Sequence, residues 1–226
     1  MKNKTAALAL LLVLALPAFA QTKEEQRLEN SAKVFQDILS GNNGLPKSVL
    51  DKAECALIFP SVKKVAVGIG SSYGRGALVC RKGATMSGSW GAPAMYKLDQ
   101  GSIGIQLGST ATDFVLLVMN QKGAEQILNG KTKLGSNATA AAGPGAQATS
   151  YNAEAMNADV LTYSRSKGLF AGVSLEGASM DGDSDANKAL YGKDLTVKEI
   201  ITGGTASPAG AKSLISVLDT ASPARK

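Results

Sequence analysis

Apolar residues at positions 28, 32, 35 and 39 (Leu, Ala, Phe, Leu), with Ile38 alongside, form one stripe of helical period and predict a helix over Thr22 to Ser40. Gly41 is its stop signal. Pro46 to Lys52 reads as a second, short helix with Pro46 as its first residue. The pattern then changes to alternation. Val65, Val67 and Ile69 alternate with Ala66, Gly68 and Gly70, and Ile103, Ile105 and Leu107 with Gly104, Gln106 and Gly108. Large apolar side chains take one face of each strand, and small or polar residues the other. Phe114 to Met119 is continuously apolar, as in a strand covered on both faces. Gly123 to Leu128 suits a short helix, and Leu169 to Ser174 a further strand. An acidic turn follows (Asp181, Asp183, Asp185), then a short helix ending near Tyr191-Gly192. The last helix starts at Ser207-Pro208, with Leu214, Ile215, Val217 and Leu218 as its docking face. The expected fold class is α+β: a glycine-rich, largely antiparallel sheet system, sandwich or barrel-like, with flanking helices.

Residues 1–20 stand apart from this pattern. Lys2 and Lys4 precede an apolar run from Ala6 to Leu16, Pro17 breaks it, and Ala18-Phe19-Ala20 has the form of a cleavage site. The expectation is a signal peptide and an exported protein, periplasmic or associated with the outer envelope. Residues 21–226 then form a single domain. Export permits a disulfide, and Cys55 and Cys80 are the sole candidates; two buried thiols are the alternative.

Composition narrows the chemistry. The 226 residues include 25 glycines, 5% aromatics and no histidine. Ser-His-Asp and Cys-His catalysis and histidine-ligated metals are therefore out, and two cysteines cannot build a four-thiolate zinc site. Gly68-Ile-Gly70-Ser-Ser-Tyr-Gly74 resembles a dinucleotide fingerprint, but its spacing is wrong and the run that follows reads as strand rather than helix. Asp181, Asp183 and Asp185 imitate half of a calcium loop. Ala186 and Gly192 stand where it needs glycine and glutamate, so an acidic turn capping the next helix is the plainer reading. Ser164 and Lys167 are close in sequence without forming a convincing catalytic pair.

Charge is more telling. Between Cys55 and Leu98 lie Lys63, Lys64, Arg75, Arg81, Lys82 and Lys97 and no acidic residue, a local charge of +6. If this region folds as hairpins, its cations can gather along one edge and attract anionic headgroups, at roughly 1 kcal/mol per cation near a charged bilayer. Scattered solubilising charges are the alternative.

The same region carries a resemblance. Cys55-Ala-Leu-Ile-Phe-Pro60, Tyr73-Gly-Arg-Gly76, Trp90-Gly-Ala-Pro93, Gly101 to Gly108, Asp113 to Asn120, Lys133-Leu-Gly135 with the Gly143-Pro144 tract, Leu161 to Gly172 and Tyr191-Gly192 follow in order. Over about residues 30–193 the chain resembles the SYLF family of lipid-binding proteins, with 194–226 as a C-terminal helical extension. The resemblance moves the alanine- and glycine-rich tract 134–149 from linker into the fold, as strand. It implies a non-enzymatic module that binds phosphoinositides or other anionic phospholipids, with no cofactor and no nucleic-acid partner. Eukaryotic relatives carry an SH3 domain and a basic N-terminal helix; no SH3-like extension is visible here, and the predicted first helix has a net charge of −1. For an exported protein, phosphatidylglycerol, cardiolipin or lipopolysaccharide phosphates are the expected ligands, contacted by Lys63, Lys64, Arg75, Arg81, Lys82 and Lys97. An envelope scaffolding module with a protein partner is the alternative function.

Overall fold

A computed structural model of the chain describes residues 21–41, 44–65, 71–100, 111–145, 153–166 and 168–225. The leader expected at 1–20, the strand expected at 103–107 and most of the one around 65–69 lie outside these residues.

In chain order, α1 (Lys23–Ser40) and α2 (Lys47–Leu50) precede β1 (Cys55–Val65), β2 (Ser71–Cys80), β3 (Ala94–Gln100) and β4 (Thr112–Val118). Then come α3 (Gln121–Leu128), β5 (Thr132–Lys133), β6 (Ala140–Ala142), α4 (Ala153–Asn157), β7 (Val160–Ser166), β8 (Leu169–Gly172) and β9 (Ser179–Gly182). Helices α5 (Ser184–Tyr191), α6 (Val197–Thr202) and α7 (Lys212–Ala221) complete the described chain, with a 3-10 turn at Ala209–Ala211 before α7.

The nine strands form one strongly curled sheet, a half-barrel, in the order β5-β9-β3-β2-β1-β4-β7-β6, with β8 also paired to β7. The pairs are antiparallel except β6 with β7, so the expected α+β class with a largely antiparallel sheet is what the chain adopts. Both faces of the sheet are covered, which explains why its central strands read as continuously apolar. Ala56, Ile58, Ala77, Val79, Met95, Val115 and Leu117 face one layer, which holds Leu28, Phe35 and Ile38 of α1 and Leu214 and Leu218 of α7. Their neighbours Leu57, Phe59, Leu78, Tyr96, Phe114 and Leu116 face the other, with Ala124 and Ile127 of α3 and Val197 and Ile200 of α6. This alternation is the period-2 consequence of strand geometry.

Local signals explain the helix boundaries. Thr22 caps α1 in a capping box with Glu25. Asp183 caps α5, and Gly192, at φ 67°, closes it in the left-handed conformation that favours glycine. The tract at 134–145 is part of the fold, as the resemblance implied: it forms a turn and then β6.

The middle of β1 is broken by a bulge. Its register with β2 shifts between Ile58 and Lys63, and with β4 between Phe59 and Val62. Ser61 sits in the bulge at φ 52°, a conformation costly for a residue with a Cβ. Gly76 faces the bulged strand; a Cβ there would lie 2.0 Å from the Ile58 carbonyl oxygen, so this close approach requires glycine.

Candidate functional site

Beside the bulge, the first turns of α1 stand over the ends of β1 and β2 and enclose an open groove of about 500 Å³. Its helical wall is Lys23, Gln26, Arg27 and Asn30, a polar stripe at spacings of three and four residues. Its sheet wall is Pro60, Ser61 and Lys63 from β1 with Tyr73, Gly74 and Arg75 from β2. Lys63 and Tyr73 are opposite one another in register. Four cations, Lys23, Arg27, Lys63 and Arg75, therefore meet at one opening, although they come from three elements.

Their surroundings differ. Lys23 and Lys63 are exposed. Arg27 is half-buried; its Nη1 lies 4.0 Å from Glu24 and has no hydrogen-bond partner. Arg75 donates through Nε to the Tyr73 hydroxyl, lies 5.6 Å from the centre of the Tyr73 ring, and has Nη1 3.4 Å from Asp183 Oδ2. The Tyr73 hydrogen bond, with the Asp183 and Glu24 carboxylates, raises the pKa of this guanidinium above its ordinary value. Tyr73 is 40% exposed and presents a ring to solvent beside these charges. Counting Glu24 and Asp183 against the four cations leaves the groove net positive.

The six cations of the acid-free stretch are thus divided. Lys63 and Arg75 share the groove. Lys97 opposes Arg75 in the next strand, but its other neighbour in register is Asp181, and it does not line the groove. Lys64 takes the position opposite Ser72. Lys82 is exposed on a separate surface shared with Lys212.

Arg81 corrects the expectation. It lies about 20 Å along β2 from Arg75, by strand rise, and is 1% exposed. Its guanidinium donates to the carbonyls of Ala53 (3.1 Å), Gly88 (3.3 Å) and Pro223 (2.9 Å) and to the Ser222 hydroxyl. It also stacks on Trp90 with its carbon 4.4 Å from the ring centre. Burial, then the nearby charge of Arg225, lowers its pKa. A headgroup has no access to it; Arg81 is a structural cation. The net charge of −1 over α1 conceals Lys23 and Arg27. Their i,i+4 spacing was the available signal.

Cys55 and Cys80 face each other in register and form a disulfide. The acidic turn is not gathered around a common point: Asp183 caps α5, while Asp181 Oδ1 accepts the Gly182 N–H. Among the described residues no cluster of acidic or cysteine side chains could hold a metal, and no helix is long and apolar enough to cross a membrane.

Residues 99–221 match the Ysc84 family, described as Las17-binding protein actin regulator. The match runs past residue 193 through α6 and α7. An SH3 domain-containing protein of Schizosaccharomyces pombe is 37% identical over 191 residues, which are 80% of this chain and 42% of that protein. The human SH3 domain-containing YSC84-like protein 1 is 31% identical over 202 residues, 87% of this chain and 58% of that protein. LAS seventeen-binding protein 3 of Saccharomyces cerevisiae is 29% identical over 205 residues, 89% and 44% respectively. The chain thus spans about half the length of the curated relatives it matches. No solved structure matches it.

Proposed function

The chain belongs to the Ysc84, or SYLF, family, and on that footing we propose that it is a non-enzymatic binding protein whose groove between α1 and the β1–β2 pair takes anionic phospholipid headgroups. One observation carries the reading: Lys23, Arg27, Lys63 and Arg75 line a single open groove. Lys23 and Lys63 are exposed at this opening, and their ammonium groups can donate to phosphate oxygens. The leader-like residues 1–20 support export, so the lipids in question are those of a bacterial envelope rather than cytosolic phosphoinositides.

Co-sedimentation with vesicles tests this. The protein should pellet with phosphatidylcholine vesicles that contain phosphatidylglycerol and remain in solution with phosphatidylcholine alone. Added salt should weaken the binding, since charges beyond a Debye length of ~8 Å are screened. Lys63→Glu removes one cation and adds an anion, and should weaken binding roughly tenfold or more. Equal binding to both vesicle types ends the reading.

A second reading rests on the names of the relatives. LAS seventeen-binding protein 3 is named for a protein partner. An envelope protein bound by this chain would be retained in cross-linking and pull-down irrespective of vesicle charge.

A further inference from the structure

Asp183 is not among the residues that line the groove; its link to it is Arg75. It is 4% exposed, and its Oδ1 accepts the Ala186 N–H at 3.5 Å as the cap of α5. Its Oδ2 is buried and accepts no hydrogen bond; the Arg75 guanidinium, with Nη1 3.4 Å away, is its ionic partner. The two partners are unequally placed. The Arg75 side chain is 45% exposed and the Asp183 side chain 5%. A buried carboxylate has no water to replace a lost counter-ion, so releasing Arg75 would leave it uncompensated.

We propose that Asp183 is the resident counter-ion of the groove and limits its affinity for anions by holding Arg75. This rests on the headgroup reading above and adds what regulates that site. Nε of Arg75 is committed to Tyr73 and Nη1 faces Asp183, which leaves a reduced share of its five donors for a ligand. Glu24 stands in the same relation to Arg27, but more weakly, at 4.0 Å. The bound anion therefore draws chiefly on Lys23 and Lys63, while Arg75, although also exposed, is the groove's restrained cation.

The test is Asp183→Asn in the full chain, probed with phosphatidylcholine vesicles with and without phosphatidylglycerol. Asparagine caps a helix as well as aspartate does, so the substitution removes the charge and keeps the cap. Binding to the phosphatidylglycerol vesicles should tighten roughly two- to fivefold, the range of a partly exposed ion pair, and its salt dependence should steepen. The gain should vanish in an Arg75→Gln background, since Asp183 acts through Arg75. If Asp183→Asn does not melt cooperatively, Asp183→Ser, another capping residue, carries the comparison. Unchanged or weaker binding by a folded variant, while the unaltered protein still prefers anionic vesicles, overturns the counter-ion role and leaves the headgroup reading standing. A gain that persists without Arg75 overturns it as well. If the unaltered protein shows no anionic preference, both proposals fall together.

Discussion

Asp113 holds Ser61 in place: its Oδ1 accepts the Ser61 backbone N–H at 2.8 Å. The other carboxylate oxygen takes Arg165 of β7 at 2.8 Å, and Arg165 also pairs with Asp37 of α1. The bulge that carries Ser61 and turns β1 toward Lys63 is thereby tied to the helix forming the opposite wall of the groove. Asp113→Ala leaves the Ser61 N–H unpaired and Arg165 without its inner partner. It should cost about 1–3 kcal/mol in urea unfolding and weaken binding to anionic vesicles although it removes a negative charge. Stronger binding by this variant would show that the bulge does not position the groove.

Arg81→Lys keeps a charge but loses the planar fork that serves three carbonyls and a hydroxyl. The substitution should destabilise the fold by about 3–5 kcal/mol, as for other broken buried charge networks, and leave the preference for anionic vesicles intact. Guanidinium unfolding and co-sedimentation separate the two effects. A folded Arg81→Lys protein of ordinary stability that had lost its lipid preference would reverse the structural assignment.

The Cys55–Cys80 bridge closes a sequence separation of 25 residues. Reduction should lower stability by about 3.5 kcal/mol, by the loop-entropy relation. The fold should survive, because Cys55 lies between β2 and β4 and keeps both ladders. Melting with and without reductant checks this, and coincident curves would refute it.

Two buried carboxylates give opposite pH dependences. Burial pushes the Asp159 pKa up, but hydrogen bonds from Thr139, Lys122 and Asn120 outweigh it and hold the carboxyl below its ordinary value. The unfolded chain then takes up the proton first as pH falls. This group's stabilisation is therefore complete above the ordinary aspartate range and lost as pH drops through the lower folded value. Glu54 is the reverse: burial raises its pKa, with Arg225 opposing. Its charge disfavours the folded state at neutral pH, and stability returns as pH falls through the raised value toward the ordinary one. Urea midpoints across pH should show Asp159→Asn with a weakened acid limb and lower neutral stability. Glu54→Gln should be more stable than the parent at neutral pH, and a loss there would contradict the sign.

The elements read most readily are those whose signals are local. Leu28, Ala32 and Phe35 with Gly41 delimit α1, and Phe114 to Met119 announces a strand covered on both sides. Strand β3 gives a weaker signal: Tyr96 and Leu98 alternate with Lys97 and Asp99, but the alternation lasts only four residues and Ala94 and Met95 break it at the start. Arg81 could not be placed from its neighbours. Two of the groups that receive its guanidinium, Ser222 and Pro223, lie 141 and 142 residues away. The groove was half legible: Lys63 and Arg75 stood out as charge without acid, whereas Lys23 and Arg27 required reading α1 by face.

The short segment after α7 has a consequence for how the protein is made. Arg81 and Trp90, inner residues of the first half of the chain, find partners at Ser222 and Pro223, and Arg225 reaches back to the carbonyls of Lys52 and Ala53. A nascent chain still missing these residues has already translated its central hairpin, and its Arg81 guanidinium has only the Ala53 and Gly88 carbonyls and the Trp90 ring as partners. Closure of that layer waits until residue 225 has left the ribosome, so synthesis and completion of the core are decoupled, and the slow step belongs to contacts of the longest range.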